Sequence, residues 1–233
     1  FKLKMFEKFF IKQSKINIVL SNKDKLILIN NMKINDNKIL VITPYFNKEM
    51  NFSDKSQFQN SFNILFWGAM NRVENTDAVE YYLKTFHNKL KSKIKNYKFI
   101  VAGVYPPKEM IEKYKHDKTI FITGFLDDPS EIFNISHISV IPLRLGAGIK
   151  IKTLESLYMG LPTISTIVGA EGIDVNQENG LFIEKNDIDF LNRIINIYKN
   201  YKLVDKQLIH DNILINFNFD ESLKKIDDFL SKI

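Results

Sequence analysis

From Phe62 onward, short apolar runs alternate with longer stretches of helical spacing, and this alternation constrains the fold more than any other feature of the chain. Phe62–Trp67 (FNILFW), Tyr97–Ala102 (YKFIVA), Thr119–Thr123 (TIFIT), His137–Pro142 (HISVIP), Thr163–Thr166 and Gly180–Ile183 read as strands. Between the first two, Asp77, Val79, Tyr82, Leu83 and Phe86 fit a helix from Thr76 to Ile94 with one buried face. Further helices are expected at Pro107–Tyr114, Asp128–Phe133, Lys150–Met159, Asp187–Asn200, Val204–Asn212 and Glu221–Lys232. Apolar strands with helical connections demand a parallel sheet covered on both faces. The fold class is therefore α/β, with a Rossmann-like doubly wound parallel sheet. Such sheets bind ligands at the carboxyl ends of their strands. The loops bearing Gly68, Gly103, Gly124 and Gly146 emerge there.

Upstream the pattern is thinner. Phe1–Lys15 mixes Phe and Lys near helical spacing and reads as the last helix of a preceding domain, with an amphipathic membrane-surface helix as the alternative. Ile16–Leu20 is a strand, Ser21 caps a helix over Asn22–Asn31, and Lys38–Thr43 is a second strand halted by Pro44. These pieces are too small to stand alone. Asn51–Asn60 is polar and aperiodic, as a linker is. The expected division is thus the end of one domain (1–50), a linker (51–60) and a Rossmann-like domain (61–233). A chain that starts at Phe1 is expected to be a piece of something longer.

Composition narrows the chemistry. There is no cysteine, so no disulfide framework, thiolate metal site or cysteine nucleophile exists, which suits a reducing cytoplasm. The net charge of +6 suits a phosphorylated ligand or an acidic membrane surface. The lysines are spread along the chain, so nucleic acid is not an expected partner. The histidines at 87, 116, 137 and 210 show no ligand spacing, and no metal is expected. No apolar run reaches the ~20 residues that span a bilayer. A GxSxG elbow and a Walker loop are both missing, and the turn after the first strand of the large domain lacks GxGxxG, which speaks against a nicotinamide site.

The segment Val140–Gly169 (VIPLRLGAGIKIKTLESLYMGLPTISTIVG) is the sharpest. A strand runs into a loop with Gly146 and Gly148, then into a helix. Glycines let backbone approach a ligand, and the first helical N–H groups are unpaired. A phosphate there gains hydrogen bonds and a dipole contribution of about 1–2 kcal/mol. Arg144, Lys150 and Lys152 add positive charge, and Glu155, about a turn further in, can accept hydrogen bonds from hydroxyls. A glycine pair alone would more often be a tight turn with solvated lysines beside it. The pair followed by two lysines, a glutamate and Met-Gly-Leu-Pro is more specific.

The stretch GAGIKIKTLESLYMGLPTIST resembles the donor-site signature of the retaining glycosyltransferase family 4, a group with the GT-B fold. ILFWGAM resembles the opening of that family's C-terminal domain; NYKFIVAG, FITGFLDD and ISVIPL follow in the family's order; INIVLSNKDK with KILVITP resembles the end of its N-terminal domain. The resemblance runs from about Ile16 to Phe219.

It implies roles for matching positions. Glu155 would take the ribose hydroxyls of a nucleotide, and Gly148, Ile149 and Lys150 would sit at the diphosphate. Gly124 and Phe125 would lie beside the base, and Gly68 would let the first turn approach the diphosphate. Gly146 and Lys152 join this binding set, and Lys150 and Arg144 are the cations expected to steady the departing diphosphate. There are departures as well. Ala147 stands where many members carry a second glutamate that contacts the donor sugar, and Ala69 and Val73 stand where members often carry Arg and Lys. Arg72, Arg144, Lys150 and Lys152 are candidates to compensate.

The resemblance implies transfer of a sugar from a nucleoside-diphosphate donor to an acceptor hydroxyl, with retention and without metal or cofactor. A glycan or lipid-linked acceptor is expected, as is an N-terminal partner domain carrying the acceptor site. A cytoplasmic protein with a peripheral contact at the inner membrane face fits the charge. The chain alone is expected to bind donor nucleotide and turn over poorly. Two alternatives remain open: a non-catalytic binding or assembly module, favoured by Ala147, and a GT-B-type sugar-nucleotide epimerase.

Overall fold

The structure, a computed structural model, describes residues 2–44, 50–56, 59–175, 177–217 and 219–231. It divides into two compact units, one of Phe1–Asn47 with Asn216–Ile233 and the other of Lys48–Ile215. The last helix, Phe219–Leu230, thus groups with the opening segment by contact.

The smaller unit holds α1 (Lys2–Gln13), β1 (Asn17–Val19), α2 (Asn22–Met32) and β2 (Ile39–Val41). The Oγ of Ser21 accepts the Asp24 N–H at 3.1 Å and so caps α2, as its position in the sequence predicts. Lys33, in the left-handed region at φ 58°, ends the helix. β1 and β2 pair in parallel, Asn17 beside Ile39 and Val19 beside Val41. Leu28, Ile34 and Ile39 form a small core.

The larger unit is an all-parallel six-stranded sheet with helical connections. Its strands are β3 (Phe62–Trp67), β4 (Tyr97–Ala102), β5 (Ile120–Ile122), β6 (Ile138–Ile141), β7 (Thr163–Ser165) and β8 (Leu181–Ile183), in the order β5-β4-β3-β6-β7-β8. The chain builds outward from β3 to β5, then returns to the other side of β3 with β6. That reversal is the switch point at which doubly wound sheets bind ligands. β3 is central, paired with β4 from Phe62–Tyr97 to Trp67–Ala102 and with β6 at Ile64–Ile138. Ile64, Leu65 and Phe66 are fully buried; each such side chain contributes about 1.5–3 kcal/mol over an exposed one. Asn63, the polar member of this strand, donates to the Ile135 carbonyl and accepts from Ser61.

The connections are α3 (Val73–Tyr82), α4 (Asn88–Lys91), α5 (Lys108–Tyr114), α6 (Ser130–Asn134), α7 (Ile151–Tyr158), α8 (Asp187–Lys199) and α9 (Lys206–Asn216). The single helix expected from Thr76 to Ile94 starts three residues early and is interrupted by a π turn over Leu83–His87, which buries Leu83, Phe86 and His87 together. Tyr82 stacks on Phe99 at 4.1 Å and Phe86 on Phe190 at 5.0 Å, so the widened turn serves aromatic packing. α9 runs four residues past the end expected from the sequence.

Residues 51–55, within the stretch read as a linker, form no regular strand or helix but are held in place. Ser53 N–H donates to Asn134 Oδ1 at 2.8 Å, Asn134 Nδ2 donates to the Asn51 carbonyl at 2.9 Å, and Lys206 Nζ meets Asp54 Oδ1 at 2.9 Å.

Candidate functional site

A cavity of about 460 Å³ opens at the carboxyl ends of β3 and β6, on the switch point. β3 contributes Trp67 and the turn Gly68–Ala69; α3 contributes Glu74 and Asn75; the β6–α7 loop and the first turns of α7 contribute Gly146, Ala147, Ile149, Lys150, Lys152 and Glu155.

The floor is a close approach of two strand ends. Gly68 N–H donates to the Ala102 carbonyl at 3.0 Å, and Met70 N–H to the Val104 carbonyl at 2.8 Å. Gly103, at φ +140°, has no room for a side chain: a Cβ there would come within 2.1 Å of the Gly68 carbonyl oxygen. Gly68 itself, at φ +156°, lies under the ammonium of Lys152, where a Cβ would sit 2.7 Å from Nζ. The missing Cβ atoms thus keep the first turn low and put a cation directly over it.

Lys152 is half-buried and donates to Asn75 Oδ1, while its Nζ stands 5.0 Å over the Phe66 ring. Burial pulls its pKa down to about 8, against the opposing pull of Glu74 and Glu155. A partly desolvated ammonium gains from an arriving anion. Asn75 in turn donates from Nδ2 to the Ala69 carbonyl at 2.7 Å, fixing the turn and the lysine together. Lys150 is 8% exposed. Its Nζ donates to the Gly148 carbonyl at 2.5 Å and lies 3.5 Å from a Glu171 oxygen. Its backbone is extended at the N-cap of α7, and no side chain caps that helix, which leaves the dipole end open to an anion.

Glu155 projects from the second turn of α7. Its Oε2 accepts the indole N–H of Trp67 at 2.9 Å. Burial pushes its pKa up, opposed by the Trp67 hydrogen bond and the charge of Lys152. The cavity therefore offers cations over a low turn and, three residues past Lys152 on the same helix, a carboxylate acceptor.

Of the residues singled out from sequence, Gly68, Gly146, Ile149, Lys150, Lys152 and Glu155 line this cavity; Gly148 does not, though its carbonyl accepts from Lys150 Nζ. Gly124 and Phe125, after β5, do not line it, and Phe125 is 70% exposed. Arg144 does not line it either. Its guanidinium binds both oxygens of Asp77, stacks on Tyr81 at 4.4 Å, and borders a separate cavity of about 220 Å³. Among the candidate compensating cations, Arg72 joins Lys150 and Lys152 in the main cavity. Ala147 and Ala69 line it; Val73 points outward, 73% exposed. Sequence reasoning passed over Trp67, Glu74 and Asn75. The available signal for Trp67 was an indole N–H closing a mainly apolar strand, since such a donor needs a partner.

Among the described residues, no group of three or more His, Asp or Glu is arranged to hold a metal, and no helix is long and apolar enough to cross a membrane.

The geometry has counterparts. The Escherichia coli UDP-Gal:alpha-D-GlcNAc-diphosphoundecaprenol alpha-1,3-galactosyltransferase is 27% identical over 236 residues, covering 91% of this chain and 58% of the relative. An uncharacterized 44.6 kDa protein of the cps region of Klebsiella pneumoniae is 26% identical over 174 residues, covering 72% of this chain and 45% of the relative. The chain thus spans about half the length of these curated relatives. In structure, an S. aureus TarM mutant in complex with fondaparinux, alpha-GlcNAc-glycerol and UDP superposes with a TM-score of 0.76 at 18% identity, over 96% of this chain and 46% of that one. The α/β architecture with its parallel sheet is that of GT-B glycosyltransferases. A profile of the family described as glycosyl transferases group 1 matches residues 61–200, and the chain belongs to that family.

Proposed function

We propose that this chain is the donor-binding half of a glycosyltransferase that moves a sugar from a UDP-sugar to an acceptor hydroxyl, with retention at the anomeric carbon. The observation that carries the reading is the pairing, in one switch-point cavity, of a half-buried ammonium over a side-chain-free turn with a carboxylate three residues further along the same helix. The diphosphate would sit at Gly68, Lys150, Lys152 and the open end of α7. The ribose would reach Glu155. Negative charge builds on the diphosphate as the glycosidic bond breaks, and preorganised cations in a dry site stabilise that charge. Uridine is favoured because TarM is described in complex with UDP and the E. coli relative is named for a UDP-galactose donor. That relative's name also supports a lipid-linked acceptor in envelope glycan synthesis, reached from the membrane surface. Retention rests on the resemblance of GAGIKIKTLESLYMGLPTIST to the retaining signature.

A non-catalytic binding module is the second reading, and Ala147 favours it: a methyl group lines the cavity where a sugar-contacting carboxylate would stand. Calorimetric titration with UDP, GDP, ADP and CMP tests the donor site. Selective UDP binding, weakened but still measurable in Glu155→Ala, is expected; binding of none of the four would overturn the reading. Incubation of the complete protein with UDP-sugars and a lipid-diphosphate acceptor then separates transfer from mere binding.

A further inference from the structure

We infer that Trp67 is a positioning residue for Glu155: its indole N–H holds one carboxylate oxygen so that the other is aimed at the ribose hydroxyls of the nucleotide. The inference deepens the donor-site reading and rests on it. Three observations support it. The Nε1–Oε2 distance is 2.9 Å, and an indole N–H can only donate, so it selects an oxygen that carries no proton. The indole is braced from behind by the fully buried Phe133, whose ring meets it edge-on at 5.4 Å and 62°. Both Trp67 and Glu155 line the same cavity, from β3 and α7, so the bond joins the two elements that flank the switch point.

The chemistry follows from what a ribose needs. A vicinal diol is recognised by a carboxylate acceptor of fixed orientation, and a glutamate left free rotates about three side-chain bonds. Fixing one oxygen removes that freedom before the ligand arrives. The same bond opposes burial, which otherwise drives Glu155 toward its protonated form. A protonated carboxyl would lose its charge-assisted grip on the diol.

The test is a double-mutant cycle on the whole chain, read by calorimetry. Trp67→Phe keeps a ring against Phe133 and removes the N–H. UDP, GDP and ADP are the probes, and whichever binds is used further with its 2′,3′-dideoxy counterpart. Trp67→Phe is expected to weaken ribonucleotide binding about tenfold, in line with loss of a hydrogen bond to a charged group. It should have no effect in a Glu155→Ala background or on the dideoxy ligand. It should also move the acid limb of the binding profile to higher pH, which loss of packing alone would not do. An equal loss in the Glu155→Ala background, an equal loss for the dideoxy ligand, or an unmoved acid limb overturns the positioning role and leaves the donor site standing. Binding of no probe by the unaltered chain overturns the donor-site reading and this inference together.

Discussion

The Asn75 amide bridges Lys152 and the first turn of the sheet: its oxygen accepts from the ammonium, and its nitrogen donates to the Ala69 carbonyl at 2.7 Å. One side chain thereby sets both the height of the turn and the place of the cation above it. Asn75→Leu keeps the bulk and removes both bonds. UDP affinity is expected to fall about 10–100-fold, since a half-buried cation is left without its orienting partner. Uridine, which has no phosphate, should bind the variant as it binds the parent. Titration of both ligands checks this; equal losses for UDP and uridine would show that Asn75 does not act through Lys152.

Lys152 makes stability and binding move in opposite directions with pH. Burial holds its pKa at about 8, below the 10.5 of an exposed lysine. Between those values the unfolded chain holds a proton that the folded chain has released, so folded stability rises across this window. The diphosphate, in contrast, needs the ammonium. Affinity for UDP is therefore expected to decline as pH rises above about 8. Lys152→Met should flatten both trends, weakening UDP at pH 7 and removing its share of the alkaline gain. Urea midpoints and UDP titrations from pH 7 to about 10 provide the check; a parent chain with no alkaline gain relative to Lys152→Met would contradict the assignment.

Lys206 is 3% exposed and is held by Asp54 Oδ1 at 2.9 Å and the Ser136 carbonyl at 3.1 Å. Burial alone would raise the Asp54 pKa, but hydrogen bonds from Ser56 and Lys206 outweigh it and hold the carboxyl below its ordinary value. The contribution of Asp54 is thus present above pH 3.8 and lost as pH falls through the lower folded value. Asp54→Ala leaves a buried ammonium unpaired and is expected to cost about 3–5 kcal/mol. Adding Lys206→Met should recover most of that loss. Urea unfolding of the single and double variants tests the coupling; a double variant no more stable than Asp54→Ala would show that the pair is not what matters.

How much of this was legible in the sequence depends on what each residue answers to. β3, β4 and the cap at Ser21 follow from local pattern, because a mainly apolar run buried on both faces and a hydroxyl before a helix each have one ready structural solution. Glu155, Lys150 and Lys152 follow from spacing along one loop and helix. Trp67 and Asn75 do not, since their partners lie 88 and 77 residues away and only the sheet order brings them together. Arg144 shows the converse. Sequence proximity placed it with the lysines, yet Asp77 and the Tyr81 ring draw it to the other side of the loop. The π turn was equally hidden, because it answers to the stacking of Phe86 on Phe190 from a distant helix.

His137 supplies an acid-sensitive element at the opposite end of the sheet from the cavity. Its Nδ1 accepts the backbone N–H of Asn63 at 3.0 Å, so the ring must be neutral at that nitrogen. Burial, then the charge of Lys206, lowers its pKa to about 4 from 6.5. Between those values the unfolded chain binds a proton that the folded chain refuses, and stability falls as pH drops from 6.5 to 4. The loss attributable to this one group is roughly 3 kcal/mol. His137→Asn places an amide oxygen near the position of Nδ1, preserving an acceptor for Asn63 while abolishing the titration. It gives up ring contacts with Phe62 at 4.7 Å and Tyr201 at 4.8 Å, a cost that does not depend on pH. The variant should therefore be less stable at pH 7 and yet lose less on acidification, so that the two curves of urea midpoint against pH converge toward pH 4. Parallel curves would mean that His137 is protonated in the folded chain or that another group carries the acid response.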